Sequence, residues 1–236
     1  MIKSKRKNLV LKKFIRRYTT ISSVIDMLRN REIVLLDPQT WDDKNDRYFM
    51  GLYKEKLNAD GLYALCCTQV SETYHHWRVF TGMTDGACIE FKRIPLERAL
   101  KNNDDIRFGT VTYMLIEDIE KLTRDDADRL PFVKRKGFSD EREYRIVAHI
   151  KGSQASCVPI DIRLDWINHI YLNPWLPERL SQAIIATLKD LPHCENLSIT
   201  KSRLIDSSKW KKAGDRVMGK NPPQRKLVLK RKSNAR

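Results

Sequence analysis

A single-domain α+β fold is what three features of the 236-residue sequence predict. Helix-periodic and β-prone runs alternate along most of the chain, the strand runs crowd toward its centre, and no glycine-rich strand-to-helix turn marks a regular parallel βαβ array. The expected architecture is a set of central split or mixed β-sheets with flanking helices, formed by residues 14–206. A basic N-terminal arm, residues 1–13, precedes it, and a basic, flexible tail, residues 207–236, follows.

The elements can be justified in order. TTISSVIDMLRN opens on Thr residues suited to capping and places Ile21, Val24, Ile25 and Leu28 on one helical face. EIVLL then reads as a short buried strand stopped by Asp37-Pro38. WDDKND reads as a polar loop, RYFMGLYKEKLN as a helix, and LYALCCT, residues 62–68, as a strand rich in apolar residues. SETYHHWRVF is expected to start a helix at Ser71, with Glu72 near the amide end where the helix dipole favours an acid. GMTDG breaks it, and ACIEFK returns as a strand. PLERALKN is a short helix, and the β-branched and aromatic run IRFGTVTYMLI is one long or bent strand. EDIEKLTRDDADRL is expected to form an acidic, solvent-facing helix. REYRIVAHI and CVPIDI read as neighbouring strands joined by the turn-prone KGSQAS. IYLNP is a further strand, Pro177 and Glu178 open the helix PERLSQAIIATLKDL, and LSIT closes the pattern. From Ser207 onward charged and Pro/Gly-containing sequence replaces periodicity, which predicts disorder or folding on a partner.

The net charge of +15 is unevenly placed. Residues 1–20 hold eight Lys or Arg and no acid, and residues 201–236 hold thirteen against Asp206 and Asp215, so the folded middle is mildly acidic. Basic ends of this kind suit phosphate neutralisation, which gives affinity without sequence choice. Lys209, Lys211, Lys212, Arg225, Lys226, Lys230, Arg231 and Lys232 are the expected nucleic-acid contacts. A tail that is merely solvated is the alternative. No run of about 18 apolar residues is present and the basic start lacks a signal peptide's apolar core, so a cytoplasmic protein with no membrane partner is expected. Five cysteines at scattered spacings, Cys66, Cys67, Cys88, Cys157 and Cys194, argue against a disulfide framework. Cys66 and Cys67 with His75 and His76 lack a Cys-x-x-Cys pair, and no metal is predicted.

The stretch SDEREYRIV, residues 139–147, carries the densest chemical signal. On an extended strand Glu141 and Glu143 share a face, so both carboxylates point into water or into a cleft. Gly-x-Gly-x-x-Gly, Gly-Lys-Ser/Thr and Gly-x-Ser-x-Gly are all absent, which disfavours dinucleotide-fold, P-loop and simple serine-hydrolase readings. A non-catalytic account stays open, in which the glutamates lie on an exposed edge strand and pair with Arg142 and Arg145.

Several pieces in their order resemble the bacterial and phage family catalogued as domain of unknown function 2971. They are Arg17-Tyr18 before the first helix, Asn45-Asp46, Cys66-Cys67-Thr68, His76-Trp77, GACIEF at 86–91, Phe138 with EREYR at 141–145, and the strand, Asn-Pro, helix and strand from Ile170 to Thr200. The sequence departs from the family pattern at Phe138, where a Trp is usual, at Arg47, where a Pro is usual, and at Cys67-Thr68, where Phe-Ser or Phe-Thr is usual. An early Arg, a central strand ending in Thr and a late Glu-x-Glu are also similar to the layout of ADP-ribosyltransferases. That resemblance implies an enzyme with a split α+β fold that takes NAD as substrate. It assigns Arg17 to the NAD phosphates, with Arg16 as the alternative, Thr68 to bracing the site, Glu143 to the nicotinamide ribose and Glu141 to the acceptor as base. Tyr18, Trp77 and Tyr144 are the candidates for stacking, with a place in the core as the alternative, which is the favoured one for Trp77. A toxin or phage-defence role, with a protein antitoxin as partner, is implied by the same resemblance.

The chemistry also has an independent logic. Cleaving the nicotinamide glycosidic bond builds positive charge on ribose, so a carboxylate aimed at the sugar stabilises the transition state, and a second one accepts the acceptor's proton. Two other classes stay open. In one, Asp42, Asp43 and Asp46 join Glu141 and Glu143 around magnesium to make a nuclease. In the other, the protein is a non-enzymatic nucleic-acid-binding module working through its basic ends.

Overall fold

The structure is a computed structural model and describes residues 13–82, 84–152 and 155–220. β1 (Phe14–Thr20) runs directly into α1 (Ile21–Asn30), whose cap is Thr20 accepting a hydrogen bond from the Ser23 amide. Val24, Met27 and Leu28 form its buried face, as the spacing predicts. Arg31 closes the helix in the left-handed region (φ 62°) and turns the chain into β2 (Glu32–Leu36). Asp43 then caps α2 (Lys44–Leu57) by accepting from the Asn45 and Asp46 amides, so half of the expected WDDKND loop is already helical. β3 (Gly61–Thr68) leads to α3 (Tyr74–Phe80), whose cap is Thr73 rather than Ser71. β4 (Gly86–Lys92) and α4 (Arg93–Leu100) follow.

The next segment departs most from expectation. IRFGTVTYMLI divides at buried Val111 into β5 (Ile106–Thr110) and β6 (Thr112–Met114), which join different sheets. The acidic run forms only the one-turn α5 (Ile116–Ile119) and a 3-10 stretch, Arg124–Phe132, containing Pro131. A Thr123–Asp126 capping box restarts the chain there, and Pro131 lacks the amide a continuing helix needs. β7 (Val133–Arg135) pairs in parallel with β6. A second 3-10 turn, Lys136–Glu141, then precedes β8 (Glu143–Ile150). β9 (Cys157–Asp161), β10 (Ile167–Leu172), α6 (Glu178–Lys189) and β11 (Ile199–Lys201) complete the body. α7 (Ser208–Val217) is an exposed helix capped by Ser207, where the sequence predicts disorder. Its apolar residues Trp210, Ala213 and Val217 recur at i, i+3 and i+7, a period hidden among lysines.

Among the described residues, nine strands form one mixed sheet in which only β10 and β11 run parallel, giving an α+β fold with flanking helices. β8 and β9 are not neighbours. β8 lies between β3 and β5, whereas β9 pairs with β2. β8 is therefore a central strand, not the edge strand of the non-catalytic account.

The sheet forks at β3. One edge of β3 pairs along its whole length with β8. The other edge is shared: Thr68 pairs with Arg16 of β1, and Ala64 with Leu36 of β2. Leu65 to Cys67 lie between those two contacts, where the strands diverge and leave an opening. The main core, including Ile15, Leu28, Tyr63, Ile89, Tyr144 and Ile146, lies on one face. A smaller cluster of Met50, Tyr53, Leu62, Ala64 and Val147 packs α2 against the other face. Period-two alternation divides β8 between them: Tyr144, Ile146 and Ala148 enter the main core, while Glu143, Arg145 and Val147 share the α2 side.

Gly86 fixes how α3 meets β4, because a Cβ there would run into the Thr81 side chain at the end of α3. Gly86→Ala is expected to destabilise by about 1–3 kcal/mol through overpacking. Gly109→Ala is the control, since its Cβ would stand 3.7 Å from Phe132. Thermal unfolding should show a lower midpoint for Gly86→Ala and no loss for Gly109→Ala.

Candidate active site

The fork opens into a cleft of about 520 Å³, a size typical of small-molecule sites. β1 supplies Arg17 and Tyr18 to its wall, β3 supplies Cys66 and Thr68 to its floor, and α3 supplies His76 and Phe80. Trp41, Asp46, Lys134, Phe138, Glu141 and Glu143 complete the other side.

At its base lies Arg145, fully buried among carboxylates. Its Nε donates to Glu143 Oε1 at 2.6 Å, and Nη2 donates to Glu143 Oε2 at 3.0 Å. Nη1 donates to Asp46 Oδ1 at 2.8 Å and to the Pro131 carbonyl at 2.9 Å, and Nη2 also donates to Asp46 Oδ2. All five guanidinium donors are thereby used in two planar forks and one carbonyl contact, an arrangement Lys cannot reproduce. The Trp41 ring covers the guanidinium at 5.0 Å. Lys134 adds a second cation, 2.6 Å from Glu141 Oε2, 3.4 Å from Glu143 Oε2 and 3.7 Å from Asp46 Oδ2.

This setting separates the carboxylates electrostatically. Burial opposes the charge of Glu143, but Arg145 and then Lys134 outweigh it and hold its carboxyl at about 2, so it is ionised through the physiological range. Glu141 moves the other way. Burial pushes it up, against the Lys134 ammonium, and the Glu143 charge adds to the rise. Burial also raises Asp46, against the opposing pull of Arg145.

Glu141 and Glu143 both line the cleft, but they do not share a strand. Glu141 ends the 3-10 turn, Arg142 is left-handed (φ 47°), and β8 begins at Glu143. A non-glycine residue there is strained and persists only when its surroundings hold it. Here they do: the Glu141 carbonyl accepts from Thr68 Oγ1 at 2.6 Å and His76 Nε2 at 3.1 Å. The Arg142 carbonyl accepts from the Gln69 amide, and the Glu143 amide donates to the Tyr113 hydroxyl at 2.8 Å. His76 is neutral in this role, its pKa lowered by burial, with Nδ1 accepting from the Thr73 hydroxyl. Thr68 thus physically braces the glutamate segment.

The other residues singled out from sequence divide clearly. Arg16 is paired with Glu90 and donates to the Val70 carbonyl at 2.8 Å. Arg17 reaches across the fork to the Val34 carbonyl at 3.4 Å and has no carboxylate partner among the described residues. Burial lowers its pKa, as expected of a cation lacking a counterion. Tyr18 lines the cleft stacked on His76, with ring centroids 5.5 Å apart and its hydroxyl buried without a hydrogen-bond partner. Trp77 and Tyr144 are both 0% exposed and do not line the cleft, which corrects the stacking role considered for both and leaves Trp77 in its alternative place in the core. Trp77 packs edge-on against Tyr18 and bonds Glu72. Tyr144 alternates away from Glu143 and donates to Glu97 at 2.6 Å.

Lys134, Arg145, Trp41 and Phe138 enter the site without a sequence assignment to it. Arg145 was legible only as a possible ion-pair partner of the glutamates in EREYR, residues 141–145, and Lys134 lies in a run with no periodic signal. Cys66 is exposed at the cleft floor, where depth and the Glu143 carboxylate push its thiol up. Among the described residues no three His, Cys, Asp or Glu are arranged to hold a metal ion. Of the carboxylates that a magnesium nuclease would use, Asp46 and Glu143 bind Arg145, Glu141 binds Lys134, and Asp43 caps α2 through Oδ1. Lys209, Lys211 and Lys212 lie on α7, with Lys211 paired to Asp206 at 2.6 Å. Arg225, Lys226, Lys230, Arg231 and Lys232 fall outside the described residues. No helix among the described residues is long and apolar enough to cross a membrane.

Fold and site together define an α+β protein with a forked sheet and a charged carboxylate–guanidinium cleft. No family model matches the chain, so the likeness to the domain of unknown function 2971 family stands on the residues quoted above, and no curated protein matches it. Solved structures to which it is similar include Thermus sp. 2.9 DarT in complex with NAD+, at 10% identity and a TM-score of 0.43, covering 81% of this chain and 96% of that one. The same protein in complex with ADP-ribosylated ssDNA is similar at 10% identity and 0.41, over 81% of this chain and 95% of that one. Thermosipho africanus DarTG in complex with ADP-ribose is similar at 13% identity and 0.38, over 80% of this chain and 50% of that one.

Removing Arg145 strands two buried carboxylates, so Arg145→Met should cost about 3–5 kcal/mol at neutral pH. A depressed folded-state pKa stabilises above the unfolded value of about 4.3 and loses that contribution as pH falls through the folded value. For Glu143 the window runs from about 4.3 down to about 2. Denaturant titrations should therefore show the gap between wild type and Arg145→Met narrowing across that window, because protonation relieves the stranded charges. A gap independent of pH would refute the charge account.

Proposed function

We propose that the protein transfers ADP-ribose from NAD to a nucleic-acid acceptor, with the forked cleft as its active site. The observation that carries this reading is that one cleft is lined by Glu143, ionised through the physiological range, and by the Arg17 guanidinium, which has no carboxylate partner among the described residues. Arg17 fits the diphosphate, since a forked, always-charged donor with no carboxylate of its own is suited to phosphate oxygens. Arg16 is committed to Glu90 and is the poorer candidate. Tyr18 offers a ring and an unpartnered buried hydroxyl on the same wall.

Glu143 works through charge. As nicotinamide leaves with the electron pair of its bond to ribose, the sugar becomes positive, and a carboxylate that is already ionised favours that state over the ground state. Glu141 works through proton transfer. Its Oε1 has no hydrogen-bond partner among the described residues, and its raised pKa suits it to take the proton that the acceptor atom loses on bonding to the ribose carbon. Two neighbouring carboxyls pushed in opposite directions are a recurring basis for such a division of roles. Arg145 and Lys134 hold the pair in place, and the bracing by Thr68 and His76 fixes the distance between them.

The acceptor class follows from the basic ends, with Lys209, Lys211 and Lys212 presented on an exposed helix. A toxin or phage-defence setting, with a protein antitoxin as partner, is the biological context implied by the family resemblance and belongs to this proposal.

The test is incubation of purified protein with labelled NAD and, separately, DNA, RNA and cell lysate. Wild type should label nucleic acid. Glu143→Gln should lower the rate by at least about 100-fold while staying folded, and Arg17→Met should raise KM for NAD more than it lowers kcat. Absence of both transfer and nicotinamide release, with no heat of NAD binding in calorimetry, would remove the transferase reading.

A further inference from the structure

Helix α3 lines the cleft with only one of its faces. His76, Val79 and Phe80 line the cleft and Trp77 faces the core, which at 100° per residue leaves His75, Arg78 and Tyr74 in angular order around the outside. The outer face and the cleft lip both expose aromatic or apolar side chains: Tyr74 is 57% exposed, and Val79 and Phe80 at the lip are 55% and 42%. Surface apolar groups in a contiguous patch, rather than singly, mark an interaction site.

The patch extends to Trp175 in the turn after β10. The Arg78 guanidinium lies over Trp175, 3.8 Å from its ring centroid, and 5.3 Å from that of Tyr74. Tyr74 meets Trp175 edge-on at 5.3 Å, and the Arg78 Nε donates to the Tyr74 hydroxyl at 3.2 Å. The turn is set by Asn173, whose Oδ1 accepts from the Trp175 amide. Arg78 has no carboxylate partner among the described residues. Among the described residues, the only acid paired to this face is Asp140, 3.3 Å from His75. A guanidinium over one ring and beside a second, with no carboxylate partner among the described residues, presents a positive charge beside flat π surfaces.

We infer that this Tyr74–Arg78–Trp175 platform is a docking surface for single-stranded nucleic acid, guiding an unpaired base over Val79 and Phe80 into the cleft. The chemistry fits on both counts. Unstacked bases gain on aromatic and guanidinium planes, and the uncompensated cation is complementary to phosphate. A duplex hides its base faces and would gain only the charge term. The inference rests on the transferase reading for the purpose of the docking, but the docking itself is measured without NAD.

The experiment is fluorescence anisotropy with labelled single-stranded DNA and RNA 20-mers and the matching DNA duplex, over a salt series and without NAD. Calorimetry of NAD binding is run on the same proteins. Wild type should bind a single strand more tightly than duplex. Arg78→Gln with Trp175→Ala should weaken single-strand binding about tenfold or more, leaving duplex binding and NAD binding nearly unchanged. Arg78→Lys keeps the charge and should keep the salt dependence while losing part of the single-strand preference. The DNA and RNA arms decide which strand type is held. Equal binding by wild type and the double variant, or no preference of wild type for single strands over duplex, overturns the platform. Loss of NAD binding in wild type with single-strand binding intact instead counts against the transferase reading and leaves the platform standing.

Discussion

The organisation of the cleft depends on a buried guanidinium whose five donors are all used. Arg145 sits on a central strand, where desolvating a cation is expensive unless every donor is met, and it meets them with Asp46 from α2, Glu143 from its own strand and the carbonyl of Pro131. Those contacts tie together three segments distant in sequence. They explain why α2 lies against β3 and β8 at that end, why the 3-10 stretch before β7 folds back there, and why Glu143 is aimed along the sheet face rather than into solvent. Replacing such a network with apolar residues is often neutral for stability, so its presence here makes more sense as positioning than as glue.

Around this centre, backbone and charge serve one purpose. The fork in the sheet exposes the middle of β3, and Arg17 spans the gap from β1 toward β2 with its charge unmatched. Left-handed Arg142 brings Glu141 and Glu143 to the same cleft by a turn instead of by strand alternation. Thr68, His76, Gln69 and Tyr113 bind the main chain on both sides of that turn. A strained backbone held by this many partners is preorganised: it does not have to rearrange when charge develops in the cleft.

Much of this was legible in the sequence, for identifiable reasons. Strands with dense apolar or β-branched runs, such as Gly61–Thr68 and Gly86–Lys92, are burial patterns and read directly. The paired glutamates stood out because carboxylates are costly beside a buried strand, and both do line the cleft. What could not be read is set by tertiary contacts. Val111 looks like any strand residue, yet it is where one run divides between two sheets. Tyr144 carries no local sign of facing the core, because which face of β8 is buried follows from the fork and the packing around it. The charge spacing of the acidic run concealed how short its helical pieces are. The partner of Arg145 is 99 residues away at Asp46, beyond the reach of any local pattern.

The most direct measurement is a crystal structure of the Glu143→Gln variant with NAD. The diphosphate is predicted on Arg17, with the nicotinamide ribose hydroxyls within hydrogen-bond reach of position 143 and the Glu141 carboxylate facing the open side of the sugar. NAD bound elsewhere, or a cleft in which Arg17 stays on the Val34 carbonyl at saturating NAD, would contradict the account.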